Sequence, residues 1–240
     1  MNDARLRERR GPVRLVNGIP YSNRATTLSL IPGAAVGEWL HEHRALVKGR
    51  LLDAGCGNKP YAPWYTPLVD SAIALDAAPL EGVDVVGYAD RLPFAGETFD
   101  TVLCTEVLEH VQDAERAAAE LFRVTRSGGT VLVTVPYLYP THEAPYDMRR
   151  FTHFGLQDLM ARHGFEVLDV EAKGGAGRLL AHYVVLFLVA ALGPLTRFGP
   201  LRALLALPQE AFLRARKTPR RVKGTATRIS LGYMLAARRP

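Results

Sequence analysis

Two aspartates and two glycines carry the first chemistry to be read. Asp53, Gly55 and Gly57 stand in the stretch LLDAGCGNKPY, and Asp76 follows at the end of IALD. A turn lined by Gly55 and Gly57 lets a ligand pack against bare backbone. In an open α/β sheet such turns lie at the carboxyl ends of strands, where ligands bind near the switch point. A carboxylate at Asp76 can accept both hydroxyls of a ribose. A dinucleotide site would show this aspartate too, but it would place a third glycine at position 60, where Pro60 stands with Pro63 close behind. Prolines there spoil the long helix whose N-terminus would receive a pyrophosphate. The spacing points to a ligand with a ribose and no phosphate, and it counts against an NAD-dependent oxidoreductase.

These residues need strands to hold them. From Arg50 onward, short apolar runs alternate with helical patterns, which is the βαβ signature of a mostly parallel sheet. The runs predict strands at 50–54, 72–76, 83–87, 100–105, 130–135, 165–171 and 229–236. Asp113 reads as the N-cap of a helix through about Arg126, closed by Gly128 and Gly129. Thr152 caps another that ends near Gly164. Residues 23–48 are expected to be helical and to lie across the sheet edge as a lid. Between the last two strands stands an insertion, 174–226, with an almost wholly apolar run at 179–192 and then Arg214, Arg216, Lys217, Arg220, Arg221 and Lys223. The parts are therefore an N-terminal lid segment (1–48), a core (49–173), the apolar and basic insertion (174–226) and a final strand (227–240).

With 240 residues, 48% apolar and 22% charged, the chain can bury one sizeable core. Its net charge of +6 suggests an anionic partner or surface. Cys56 and Cys104 are the two cysteines and form no CxxC pair, so neither a zinc site nor a disulfide framework is expected, and no metal is assigned. The charged start, MNDARLRERRGPVRL, lacks a signal peptide's apolar segment. A reducing cytoplasm is the expected setting.

Four stretches together resemble the class I S-adenosylmethionine-dependent methyltransferases, of the methyltransferase type 11 kind: LLDAGCGNKPY, IALDAAP, YADRLPFAGETFDTVLCTEVLEHVQD and LFRVTRSGGTVLVTVPY. The third is the most specific. The resemblance implies a Rossmann-like seven-stranded sheet with its last strand antiparallel, S-adenosyl-L-methionine as cofactor, and methyl transfer as the activity. It implies that Asp53, Gly55, Cys56 and Gly57 line the methionine portion. It places Asp76 and Ala77 at the ribose, Asp90 and Arg91 at the adenine edge, and Leu92 on the adenine face. Thr105, Glu106 and His110 close the far side.

The loop PYLYPTHEAPYDMRRFT is similar to a subgroup pattern seen in methyltransferases of glycan or envelope biosynthesis. On that pattern His142 is the best general-base candidate for an acceptor hydroxyl, with Asp147 either orienting it or binding acceptor hydroxyls. Tyr137, Arg149 and Arg150 would contact the acceptor, the arginines through an anionic group. A plain alternative is that Asp147 and Arg150 pair only to fasten the loop. O-methylation of a sugar or lipid-linked acceptor is the leading expectation. Carbon methylation of an isoprenoid quinone and a non-catalytic binding protein are the alternatives. The apolar run is shorter than the roughly 20 residues that cross a bilayer. A peripheral contact with the inner face of an anionic membrane, a re-entrant hairpin, a dimer contact and a buried helix all fit it. No nucleic-acid module is present in the pattern.

Overall fold

The computed structural model describes residues 14–21, 30–193, 195 and 229–240. A short hairpin, β1 (Arg14–Val16) and β2 (Ile19–Tyr21), precedes helix α1 (Ile31–Glu42). The sheet then uses β3 (Arg50–Ala54), β4 (Ser71–Asp76), β5 (Val85–Val86), β6 (Phe99–Thr105), β7 (Thr125–Pro136), β8 (Glu166–Ala172) and β9 (Gly232–Arg238). Their order across the sheet is β5-β4-β3-β6-β7-β9-β8, and β9 runs antiparallel to both of its neighbours. The expected seven-stranded α/β architecture is the one observed. The chain winds outward in both directions from β3 and β6, so the switch point lies between the carboxyl ends of these two strands.

Period-two alternation divides the apolar residues between the faces. Leu52, Ala54, Val102, Cys104, Val131 and Val133 face α3 (Ala114–Val124) and α4 (His153–Arg162). Leu51, Leu103, Leu132, Met234 and Ala236 face α1 and the short α2 (Ala62–Tyr65). Asp113 accepts from Arg116 N and Thr152 from Gly155 N, so both expected N-caps are in place. Helix α3 stops at Val124, short of Arg126, because β7 begins at once and pairs Thr125 with Phe99.

The lid expectation is corrected in part. Residues 31–42 are helical, but Val36, Trp39 and Leu40 pack on the sheet face as core, and none of them borders the ligand cleft. Residues 22–29 lie outside the described residues. So does most of the insertion, including the six basic positions from Arg214 to Lys223. Its described part is α5 (Ala176–Leu192), which starts three residues before the apolar run.

Candidate active site

Beyond Ala54 the chain turns at Gly55 (φ +76°), where the N–H groups of Gly55 and Cys56 both donate to Leu75 O, at 2.7 and 2.9 Å. A Cβ on Gly55 would meet Val107 Cγ2 at 2.3 Å, so glycine is required. A Cβ on Gly57 (φ +54°) would meet nothing within 4 Å, so this side of the turn is open to a ligand. Behind it, Pro60 is followed by the four-residue α2, too short to present a phosphate-binding terminus.

The turn forms one wall of a cleft of about 490 Å³. Asp76 sits at its rim with Oδ2 accepting Gly57 N and Oδ1 accepting Ala78 N, each at 2.9 Å. Each carboxylate oxygen can accept more than one hydrogen bond, which suits a residue expected at a ribose. Ala77, Asp90 and Arg91 continue the wall. Thr105, Glu106 and His110 close it from the end of β6, and Glu143, Tyr146 and Met148 from the loop after β7. Cys56 borders the cleft, but burial pushes its thiol well above the ordinary range, so no thiolate nucleophile is offered. The same holds for the core thiol of Cys104.

At the far end, His110 lies against His142 with ring centroids 4.8 Å apart and planes at 76°. Burial lowers the His110 pKa, and the neighbouring His142 acts in the same direction. His142 Nδ1 stands 3.2 Å from Asp147 Oδ2. Burial opposes ionisation of Asp147, but hydrogen bonds from the Arg150 guanidinium and the His142 amide outweigh it and hold the carboxyl down at about 2.

Residues 52–133 match the family model described as "Methyltransferase domain". A probable S-adenosylmethionine-dependent methyltransferase of Mycolicibacterium smegmatis is 29% identical over 178 residues, which cover 64% of this chain and 69% of that protein. A ubiquinone biosynthesis O-methyltransferase of Rhizobium etli is 37% identical over 98 residues, covering 35% of this chain and 40% of the other. The chain carries an S-adenosylmethionine-dependent methyltransferase domain. Its cofactor is S-adenosyl-L-methionine. The crystal structure of the [4+2]-cyclase SpnF shares the fold at a TM-score of 0.56 and 23% identity, covering 88% of this chain and 83% of that one. That neighbour's printed activity is a cyclisation, so the chemistry must be argued from the site and not from the fold.

Within the methyltransferase domain most of the expected cofactor residues meet on one cleft: Gly55, Cys56, Gly57, Asp76, Ala77, Asp90, Arg91, Thr105, Glu106 and His110. Asp53 and Leu92 do not border it. Asp53 shares its strand face with Leu51 and lies buried beneath the turn, hydrogen-bonded to Tyr65. Leu92 is core, its N–H donating to Glu120 Oε2 while its carbonyl accepts from Arg123. The Leu-Pro-Phe stretch thus fastens the loop onto α3. Glu106 borders the cleft, yet its carboxylate accepts from Thr134 Oγ1 at 2.7 Å and Lys173 Nζ at 2.5 Å.

None of the expected acceptor residues borders the cleft. Arg149 donates to the carbonyls of Leu108, Val111 and Gln112. Arg150 grips Asp147 in bidentate fashion and also donates to Tyr139 O and Pro140 O. Tyr137 packs on Tyr233. His142 sits behind His110. The loop's polar groups are thus spent holding the loop itself, and Glu143, Tyr146 and Met148 are what it presents to the cleft, beside His110 from the loop after β6. Sequence reading missed Glu143 and Tyr146, and also Glu109, whose side chain is 0% exposed and lies between the two histidines. The repeated acid-histidine spacing of EVLEH and THE was the available signal.

Proposed function

We propose that the chain O-methylates a small hydroxyl-bearing acceptor, a sugar or lipid-linked molecule, at a membrane surface. The observation that supports oxygen as the methylated atom is the cluster of Glu109, His110 and His142, of which His110 borders the cleft and the other two lie behind it. Methyl transfer from a sulfonium is an in-line displacement, helped mainly by alignment in a dry site. A hydroxyl must also lose its proton, and groups that bind or take protons assist that step. The printed name of the Rhizobium etli relative includes O-methyl transfer, which agrees with this reading.

Support for a lipid-linked acceptor comes from α5, which is inside out. It buries Arg178, His182 and Val185 and exposes Leu180, Tyr183, Val184, Phe187 and Leu188. These exposed side chains recur at helical spacing and form one apolar stripe. His182 stacks on Tyr139 of the acceptor loop at 5.2 Å, so the stripe lies on the helix that braces the site.

The test is a label-transfer assay with methyl-labelled cofactor against three acceptor sets: soluble sugars, lipid-linked sugars and isoprenoid quinone precursors. The proposal expects a methyl ether, formed faster on the lipid-linked acceptor in vesicles than on its soluble analogue. Labelled carbon on a quinone ring would replace oxygen with carbon as the methylated atom. Tight binding of S-adenosylhomocysteine with no turnover on any acceptor would mark a binding protein.

A further inference from the structure

Three electron-pair donors from two separate loops converge beside the cleft. His110 Nε2 lies 3.6 Å and His142 Nε2 lies 3.8 Å from the same oxygen, Glu109 Oε1. One ligand atom from each of the three side chains lies within 4.8 Å of the other two. The other nitrogen of each ring faces an acceptor: His110 Nδ1 is 3.3 Å from Tyr146 O, and His142 Nδ1 is 3.2 Å from Asp147 Oδ2. For His110 the carbonyl at Nδ1 favours the ring proton there and leaves the Nε2 lone pair facing inward; His142 Nδ1 is close to Asp147 but makes no hydrogen bond. Imidazole nitrogens and a carboxylate brought this close in a low-dielectric setting offer favourable interactions to a cation placed among them.

We infer that Glu109, His110 and His142 form a binding site for one divalent transition-metal ion at the acceptor end of the cleft. Two imidazoles and one carboxylate are a donor set suited to zinc, manganese or iron. Ligands about 2.0–2.2 Å from such an ion stand roughly 3–3.6 Å apart, so the spacing closes on an ion with shifts of a few tenths of an ångström for the Glu109 pairs and of up to about 1.2 Å between the two histidines. The supporting layer is also present. Asp147, itself held by Arg150, accepts from the His142 main-chain N–H and lies 3.2 Å from its Nδ1, and a main-chain carbonyl accepts from the other histidine's ring, the kind of support usual for metal-bound imidazole. Three protein ligands leave a coordination position free, and His110 borders the cleft, so this position is available to an acceptor oxygen.

The use of the ion rests on the O-methylation reading; its binding does not. A hydroxyl bound to a divalent ion is more acidic than in water. Its proton passes to Glu143, whose Oε2 lies 4.0 Å from His110 Nε2 and which also borders the cleft, and from there to solvent. The oxygen lone pair forms the new O–CH3 bond as the C–S bond breaks. That bond's electron pair stays on sulfur, and the sulfonium leaves as the neutral thioether S-adenosylhomocysteine.

The experiment is calorimetric titration of the chelator-stripped full chain with Zn²⁺ and, separately, Mn²⁺, with no acceptor present. One ion per chain should bind. His142→Ala and Glu109→Gln should each weaken it by at least about tenfold to a hundredfold. His43→Ala, in the remote group of His43, Asp169 and Glu171, should leave it unchanged. S-adenosylhomocysteine affinity should stay within about twofold in His142→Ala, which shows that this variant is folded. Absence of one-to-one binding by the wild type, or unaltered binding in His142→Ala, overturns the site. If the ion binds as expected and no hydroxyl acceptor is methylated, the site stands and the O-methylation reading fails.

Discussion

The guanidinium of Arg178 reaches the Glu38 carboxylate at 2.8 Å, and both side chains are withdrawn from solvent, 2% and 8% exposed. This ion pair fixes which way α5 faces. By turning Arg178 and His182 toward α1 and the acceptor loop, it leaves Leu180, Tyr183, Val184, Phe187 and Leu188 on the outside. A helix in water normally does the reverse. Burial, with Lys173 acting in the same direction, holds the His182 pKa down at about 4, so its imidazole is neutral against Tyr139 near pH 7. The polar interior of α5 is therefore a specific attachment and not a general solvated face.

Removing one member of that pair should be far more harmful than removing both. Arg178→Met takes the cation from a buried carboxylate and should cost roughly 3–5 kcal/mol. The double variant Arg178→Met, Glu38→Leu should recover most of that loss, because buried pairs replaced by apolar groups are often near neutral. Urea unfolding of the two variants and the wild type measures both values. Equal midpoints for Arg178→Met and wild type would show that the pair does not orient the helix.

Asp53 gives the chain a pH dependence of definite sign. Burial, reinforced by the nearby Asp76 charge and opposed by the Tyr65 hydrogen bond and Lys59, raises its pKa from 3.8 to about 7. The folded state therefore keeps a proton that the unfolded state has already lost across this interval. Stability from this group is complete below about pH 4, declines as pH rises to about 7, and is level above that, with a slope approaching about 1.4 kcal/mol per pH unit. Asp53→Asn should remove this decline, so its melting temperature should gain on the wild type's as pH rises from 5 to 8. Parallel curves for the two proteins would assign the pH dependence to other groups.

The contrast between cofactor and acceptor ends shows what a sequence can disclose. Gly55, Gly57 and Asp76 were legible because each lies at a strand end, where alternation and turn chemistry set the geometry locally. Asp53 was misplaced by one step of that alternation, since odd positions of β3 face α1 and α2. Arg149 and Arg150 read as acceptor contacts because exposed cations in a loop suggest a ligand. Their partners are carbonyls at 108, 111, 112, 139 and 140, together with Asp147, and those become neighbours only after the loop has folded back. The convergence of Glu109, His110 and His142 was hidden for the same reason: the two loops meet only through the β6–β7 pairing. In α5 the apolar run was plain, but its outward direction depends on Glu38, which lies on another helix.

That outward stripe should bind anionic membrane without crossing it. Among the described residues no helix is long and apolar enough to span a bilayer. The 17 residues of α5 reach about 25 Å at 1.5 Å per residue, against a hydrocarbon core of about 30 Å. Laid flat, the helix could bury Leu180 and Phe187, now 67% and 72% exposed, each contributing up to about 1.5–3 kcal/mol. The basic positions from Arg214 to Lys223, which follow in sequence, would each add about 1 kcal/mol against anionic headgroups. Apolar and charged contributions can be separated by flotation with vesicles of anionic or neutral lipid. Binding to anionic vesicles should weaken with added salt and fall when the six basic residues become glutamine. Leu180→Ser with Phe187→Ser should lower it further at every salt concentration. Light scattering on the same samples tests the other occupant, a second copy of the chain. A dimer that the serine substitutions convert to monomer, in a protein that floats with neither lipid, would assign the stripe to self-association and end the membrane reading.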